Sequence, residues 1–244
     1  MSHIFGIHVI SSVLENDPAR LKKIIVDGKR HDEKLQNILQ LAQRAGVPIE
    51  HVDKQCLEKI VGSVIHQGVV AEAKPRKSLD ESDLETLLTN LNKPAFLLIL
   101  DGVQDPHNLG ACLRSADAAG VDAIIAPKDN SVSITAVTEK VACGAAETTP
   151  FIQVTNLART MRNLKEKGIW CYGLSDKAKQ VFYQADLTGN IALVMGAEGK
   201  GIRQNVMKQC DVLYSIPMQG SVSSLNVSVA TGICLFEALR QRWS

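Results

Sequence analysis

From residue 95 onward the chain alternates short, wholly apolar runs with stretches of helical period, and no other feature narrows the fold as much. Residues 96–100 (F-L-L-I-L) read as a buried strand, and 121–125, 169–173, 191–195 and 212–216 read as further strands. Between and after them the periodicity predicts helices over 107–118, 134–143, 156–167, 204–209 and about 224–240. Apolar strands separated by helices imply a mostly parallel sheet covered on both faces, an α/β architecture. Ligands of such sheets sit beyond the carboxyl ends of the strands. Function is therefore expected in the segments that leave strands.

The first 77 residues show a shorter alternation. Helices are expected over 6–14, 33–45 and 55–61, and strands over 21–26, 49–52 and 69–73. Leu35, Ile38, Leu39 and Ala42 share one side of the second helix. This predicts a small α/β sandwich with a modest core. Residues 78–94 are polar and acidic and read as a linker. It carries a small helix of its own, capped by Ser78 or Ser82, running through Leu84, Leu87, Leu88 and Leu91 and stopped by Pro94.

Charge follows the same division. Residues 1–77 hold twelve Lys and Arg against nine Asp and Glu, net +3, with five of the six histidines. Residues 78–94 hold four acids and one Lys, net −3, and the remainder fourteen bases and thirteen acids, net +1. A mildly basic first segment fits contact with an acidic polymer, and it fits an ordinary solvated surface equally well. The cysteines at 56, 112, 143, 171, 210 and 234 form no C-x-x-C pair. They read as small buried apolar residues of a reducing compartment, with no metal or disulfide role. No apolar run approaches the ~18 residues of a membrane span, and the start lacks a secretory pattern. A soluble cytoplasmic protein without membrane or metal partners is expected.

Three strand-exit segments stand out. In 101–114 (D-G-V-Q-D-P-H-N-L-G-A-C-L-R), Asp105 can cap a helix and Pro106 suits its first position. Arg114 follows Gly110 by one turn, so its guanidinium leans over bare backbone at the helix start, an arrangement that favours a phosphate. In 194–202 (V-M-G-A-E-G-K-G-I), glycines let the backbone turn sharply and approach a ligand closely, and Glu198 adds a carboxylate. The order matches neither a P-loop nor a dinucleotide fingerprint. In 216–228 (I-P-M-Q-G-S-V-S-S-L-N-V-S), Ser223 or Ser224 is a natural cap for the last helix. That helix is apolar nearly all round, which predicts the sheet on one side and a second subunit on the other. Asn226 is expected among apolar neighbours, tolerable only if its amide finds partners.

Together the motifs N-x-G-A-x-x-R, L-V-M-G-A-E-G-x-G and I-P-M-x-G-x-V-x-S-L-N-V-S-V-A resemble those of the SpoU/TrmH branch of the SPOUT RNA methyltransferases, over residues 95–242. Residues 5–8 (F-G-I-H) and 66–68 (H-Q-G) extend the likeness into the first domain, which resembles an L30e/L7Ae-type RNA-binding module. The resemblance implies a homodimer, S-adenosylmethionine (SAM) as cofactor and a deep trefoil knot in the second domain. It implies methylation of a ribose 2′-hydroxyl, of a guanosine in the peptidyl-transferase region of 23S rRNA. A tRNA ribose is the alternative substrate, and a non-catalytic RNA-binding assembly factor the alternative role. By motif position, Asn108 and Arg114 face the target ribose and phosphate, and the Gly196 backbone meets the cofactor next to Glu198. Ile216, Met218 and Leu225 surround its adenosine part, and Ser224 and Asn226 are the polar positions of the third motif. Because Arg stays protonated, Arg114 is read as a cation that binds phosphate and stabilises the developing alkoxide, with the proton acceptor open.

Overall fold

The computed structural model describes residues 2–62 and 66–243 of the chain, which divides into two compact units. The first unit comprises Met1–Lys77 together with Ala136–Thr148. Its four-stranded sheet has the order β1-β4-β2-β3, from β1 (Ser2–Phe5), β2 (Leu21–Asp27), β3 (Ile49–Val52) and β4 (Val69–Ala73). Only β2 and β3 run parallel. Side-chain alternation along β2 sorts the helices. Ile24 and Val26 pack with α1 (Ile7–Asn16) and α2 (Glu33–Ala45), whereas Ile25 joins Leu57 of α3 (Lys54–Val61) on the opposite face. The sandwich expected from periodicity is present, with β1 as an added edge strand.

Residues 136–148 join this unit although they lie far along the chain. They form α6 (Ala136–Ala142) and α7 (Ala145–Thr148), the latter packed on α1. Gly144 makes the turn between them at φ +97°, and its carbonyl accepts a 3.2 Å bond from Ser12 Oγ. A buried ion cluster fastens the segment. Arg20, 5% exposed, donates from Nη1 to both oxygens of Glu147 at 2.7 Å and from Nη2 to Glu139 at 3.2 Å. Burial pushes the Glu139 carboxyl above its ordinary value, and the Arg20 guanidinium opposes that push. Removing the Arg20 cation leaves two largely buried carboxylates with Arg76, 3.8 Å from Glu147, as the remaining nearby cation, a loss toward the lower end of the ~3–5 kcal/mol of a broken buried pair. We therefore expect Arg20→Met to lower unfolding stability by about that much at neutral pH in a urea titration. The loss should shrink as pH falls, because protonation neutralises the stranded carboxylates.

The second unit is built on a seven-stranded sheet of order β7-β6-β5-β10-β8-β11-β9. Its strands are β5 (Phe96–Asp101), β6 (Ala123–Pro127), β7 (Phe151–Val154), β8 (Trp170–Leu174), β9 (Gln180–Val181), β10 (Ile191–Gly196) and β11 (Val212–Ser215). Every pairing is parallel. Its helices are α4 (Glu81–Asn90), α5 (Pro106–Ala118), α8 (Leu157–Glu166), α9 (Gln204–Met207) and α10 (Val227–Arg242). Leu84 of α4 and Leu157, Met161 and Leu164 of α8 pack with Leu97, Ile99, Ala192 and Val194 of the central strands. Helices α5 and α10 pack on each other, and α10 also touches β10.

Two readings of the sequence change here. The acidic stretch expected as a linker belongs to the second unit, because α4 packs on β7 and Leu79 bridges to Ile152. Its cap is Asp80, in a reciprocal box with Asp83, rather than Ser78 or Ser82. The cysteines also divide. Burial pushes the Cys112 thiol up to about 11 and those of Cys171, Cys210 and Cys234 up to about 12, but Cys56 and Cys143 are exposed.

Candidate active site

The three singled-out segments leave β5, β10 and β11 of the second unit, at the carboxyl ends of parallel strands. Strand β5 lies beside β10, with Asp101 in register with Gly196. Beyond Asp101 the chain turns at Gly102 (φ +83°) and enters α5, whose cap is Asp105, accepting from the His107 N–H at 2.9 Å. Pro106 takes the first helical position, as the sequence predicts. Asn108 is buried in the first turn, whereas Arg114, further along α5, is exposed.

The glycine-rich segment after β10 is a tight turn. Ala197 and Gly201 exchange backbone bonds of 3.2 and 2.8 Å, and Gly199 and Gly201 hold φ of +71° and +65°. Gly196 is also constrained by its own turn. A Cβ there would lie 2.1 Å from the Gly201 carbonyl carbon and 2.2 Å from the Ile202 nitrogen. The space at Gly196 is filled by the returning chain of its own turn.

The third segment brings Asn226 to the start of α10. Its Oδ1 accepts from the Ser228 N–H at 2.9 Å and the Val229 N–H at 3.4 Å, so Asn226 is the cap, in place of Ser223 or Ser224. Its Nδ2 donates to Asn108 Oδ1 at 3.0 Å and to Glu198 Oε1. Asn108 Nδ2 donates to the same Glu198 oxygen at 3.1 Å. A closed ring of three side chains results, one from each segment. Asn226 is exposed rather than sunk among apolar residues, and the ring satisfies its amide. Ser224 is exposed in the preceding loop and takes no part in the ring.

Half-buried Ile216, Met218 and Leu225 lie on the loop between β11 and α10. Among the described residues, no backbone hydrogen bond ties 217–225 to another part of the chain. Half-buried apolar side chains on a loop beyond a parallel strand suit the faces of a purine base, so these residues could hold the adenosine part of SAM. Among the described residues no group of three or more His, Cys, Asp or Glu is placed to hold a metal ion. No described helix is long and apolar enough to cross a membrane.

Two further residues belong to this region and were not expected. Asp101 is fully buried, and Arg203, just after the glycine-rich turn, donates to it from its backbone and its guanidinium. The available signal was an acid closing an apolar strand of five residues.

Asn226 has two separable tasks, and one substitution divides them. We expect Asn226→Asp to retain the helix cap but to set a second carboxylate against Glu198. Neighbouring carboxylates resist joint ionisation, so activity should fall at neutral pH and recover in part as pH is lowered. Asn226→Ala should instead lose the cap as well, lowering stability by about 1 kcal/mol. Activity across a pH series and thermal melting distinguish the two.

The chain matches the model of the SpoU rRNA Methylase family over residues 95–236 and that of RNA 2′-O ribose methyltransferase substrate binding over 3–79. It is 57% identical over 241 residues to the 23S rRNA (guanosine-2′-O-)-methyltransferase RlmB of Shewanella oneidensis, covering 99% of this chain and 98% of that one. Identity to the Escherichia coli K12 protein of the same name is 54% over 239 residues, 98% of each chain. The SpoU methyltransferase AviRb of Streptomyces viridochromogenes, solved with AdoMet, shares the fold at a TM-score of 0.81 and 21% identity, over 99% of this chain and 90% of that one. With its three motif segments joined beyond the ends of parallel strands of one sheet, and its sequence matched along both units, this chain belongs to the SpoU rRNA methylase family.

Proposed function

We propose that the protein methylates the ribose 2′-hydroxyl of a guanosine in 23S rRNA, using SAM. The observation that carries this reading is the hydrogen-bonded ring of Asn108, Glu198 and Asn226. It unites three motif segments beside a loop suited to a nucleoside. The names of relatives at 54–57% identity support the guanosine and the 23S rRNA. SAM, when bound, supplies an electrophilic methyl group. The protein's task is then alignment and charge management, since a ribose hydroxyl is a weak nucleophile. Gly196 and the loop carrying Ile216, Met218 and Leu225 hold the cofactor. Arg114 holds a target phosphate and stabilises negative charge growing on the ribose oxygen. The ring keeps Glu198 and both amides in fixed orientation at the reacting centre, and Ser224 flanks it. Residues 1–77 bind the RNA, and residues 95–244 carry the chemistry.

The same reading includes a homodimer, a cytoplasmic location and a knotted second unit. Helix α10 supports the dimer, because Val229 and Phe236 are 51% and 49% exposed on a helix otherwise packed on α5 and the sheet.

Mapping of 2′-O-methyl groups in RNA from cells with and without the gene tests the proposal. Loss of one methylated guanosine in 23S rRNA is expected. Loss from a tRNA instead would transfer the activity to the alternative substrate, and loss from neither would overturn it. Calorimetry with SAM and with NAD on the purified protein checks the cofactor independently.

A further inference from the structure

Asp101 closes β5, and its carboxylate is fully buried beneath the candidate site. A buried carboxylate is costly unless donors answer its oxygens. Among the described residues its three donors all come from Arg203. The backbone N–H reaches Oδ2 at 2.8 Å, and Nε and Nη2 reach Oδ1 at 2.7 and 2.6 Å. Asp101 lies in register with Gly196, where the glycine-rich turn begins, and Arg203 is where the chain leaves it. The turn is therefore fixed at its entry by β10 and at its exit by Asp101. Glu198 rides between these two anchors, exposed, and meets Asn108 from the helix that follows Asp101's own strand.

We infer that Asp101 is a positioning residue for methyl transfer: its carboxylate grips Arg203, closes the turn and so sets Glu198 against Asn108 and Asn226. The inference rests on the assignment of that ring to the methyl-transfer site. A carboxylate is required because every partner is a donor. The amide of an asparagine would present an N–H to an N–H whichever way it turned.

The test uses the full chain with Asp101→Asn, Arg203→Lys, Glu198→Ala and the double variant Asp101→Asn/Glu198→Ala. Two readouts are taken: single-turnover methylation of an rRNA transcript, and hydrogen exchange at the Ala197 and Gly201 amides. Asp101→Asn should lower the rate roughly 10–100-fold, the scale for a misplaced catalytic group. It should also speed exchange at both amides. Glu198→Ala should cost rate in the parent protein but no more than about twofold in the Asp101→Asn background, because members of one network are not additive. Arg203→Lys keeps the backbone bond and the charge but not the fork, and should fall between parent and Asp101→Asn in both readouts. Multiplying rate losses in the double variant would overturn the inference, as would parental exchange at Ala197 and Gly201 in Asp101→Asn or in Arg203→Lys. Exchange is read without cofactor or RNA. An inactive parent protein would therefore sink the functional assignment while the exchange result still decided whether Asp101 holds the turn.

Discussion

Replacing Arg114 by alanine should lower the single-turnover methylation rate by roughly 10²–10³-fold, the scale for losing one preorganised donor to a developing oxyanion. The helix should not suffer. Arg114 is exposed on α5, and an exposed helical substitution ordinarily changes stability by a few tenths of a kcal/mol. Affinity for SAM should hardly move, since the cofactor is assigned to the glycine-rich turn and the loop before α10. Rate and stability should thus come apart, which an arginine of merely structural value would not allow. Arg114→Lys then separates two chemistries. If the residue stabilises charge, lysine retains part of the activity with little dependence on pH, because both side chains are cations near neutrality. If it removes the ribose proton, the activity of the lysine variant rises with pH as the ammonium deprotonates. A near-parental rate for Arg114→Ala would reject both roles.

The other large effect is expected at Gly196. Even alanine there places its Cβ within 2.5 Å of three backbone atoms of Gly201 and Ile202. Those atoms belong to a turn closed by the Ala197–Gly201 bonds and anchored by Arg203 on Asp101, so they have little freedom to yield. Overpacking of this kind costs about 1–3 kcal/mol, and valine should exceed alanine. We expect Gly196→Ala to lower the melting temperature and to weaken SAM binding by tenfold or more, about 1.4 kcal/mol. Gly199→Ala is the control. Its φ of +71° strains an L-residue by about 1–2 kcal/mol, but no atom lies within 4 Å of the added Cβ. It should therefore lose stability without comparable loss of affinity. Equal SAM affinity in parent and Gly196→Ala would show that the turn is not part of the cofactor site.

Local pattern was a good guide to elements that carry their own signals. Helix α2 spans Glu33–Ala45, as its apolar period predicts, because Asp32 caps one end and Gly46 the other with φ +69°. Strand β5 begins at Phe96 and runs one residue beyond the expected end, to Asp101, because Arg203 supplies the donors that let a carboxylate be buried there. Strands β1, β7 and β9 carry no such signal. None exceeds four residues, and each is held by pairing to β4, β6 or β11, so neighbours outside the segment stabilise it rather than any pattern of its own. The cap of α10 went to Asn226 although Ser223 and Ser224 are equally good formers of caps. Asn226 alone also has an amide that can bond Asn108 and Glu198, and that second set of partners is visible only once the segments meet.

Local pattern was enough for the α/β class, the parallel sheet and the three strand-exit segments. Those follow from the period of apolar residues and from residue types with few alternative uses at strand exits. The tertiary structure alone decided the rest. Residues 136–148 fold with the first unit because Arg20 needs Glu139 and Glu147, more than a hundred positions away. Gly196 is required by its own returning chain, and Asp101 by Arg203. Asn108 reaches Glu198 across 90 residues and Asn226 across 118. Hydrogen bonds at such separations depend on which strands are neighbours, and β5 lies beside β10 through a strand order that local periodicity does not encode.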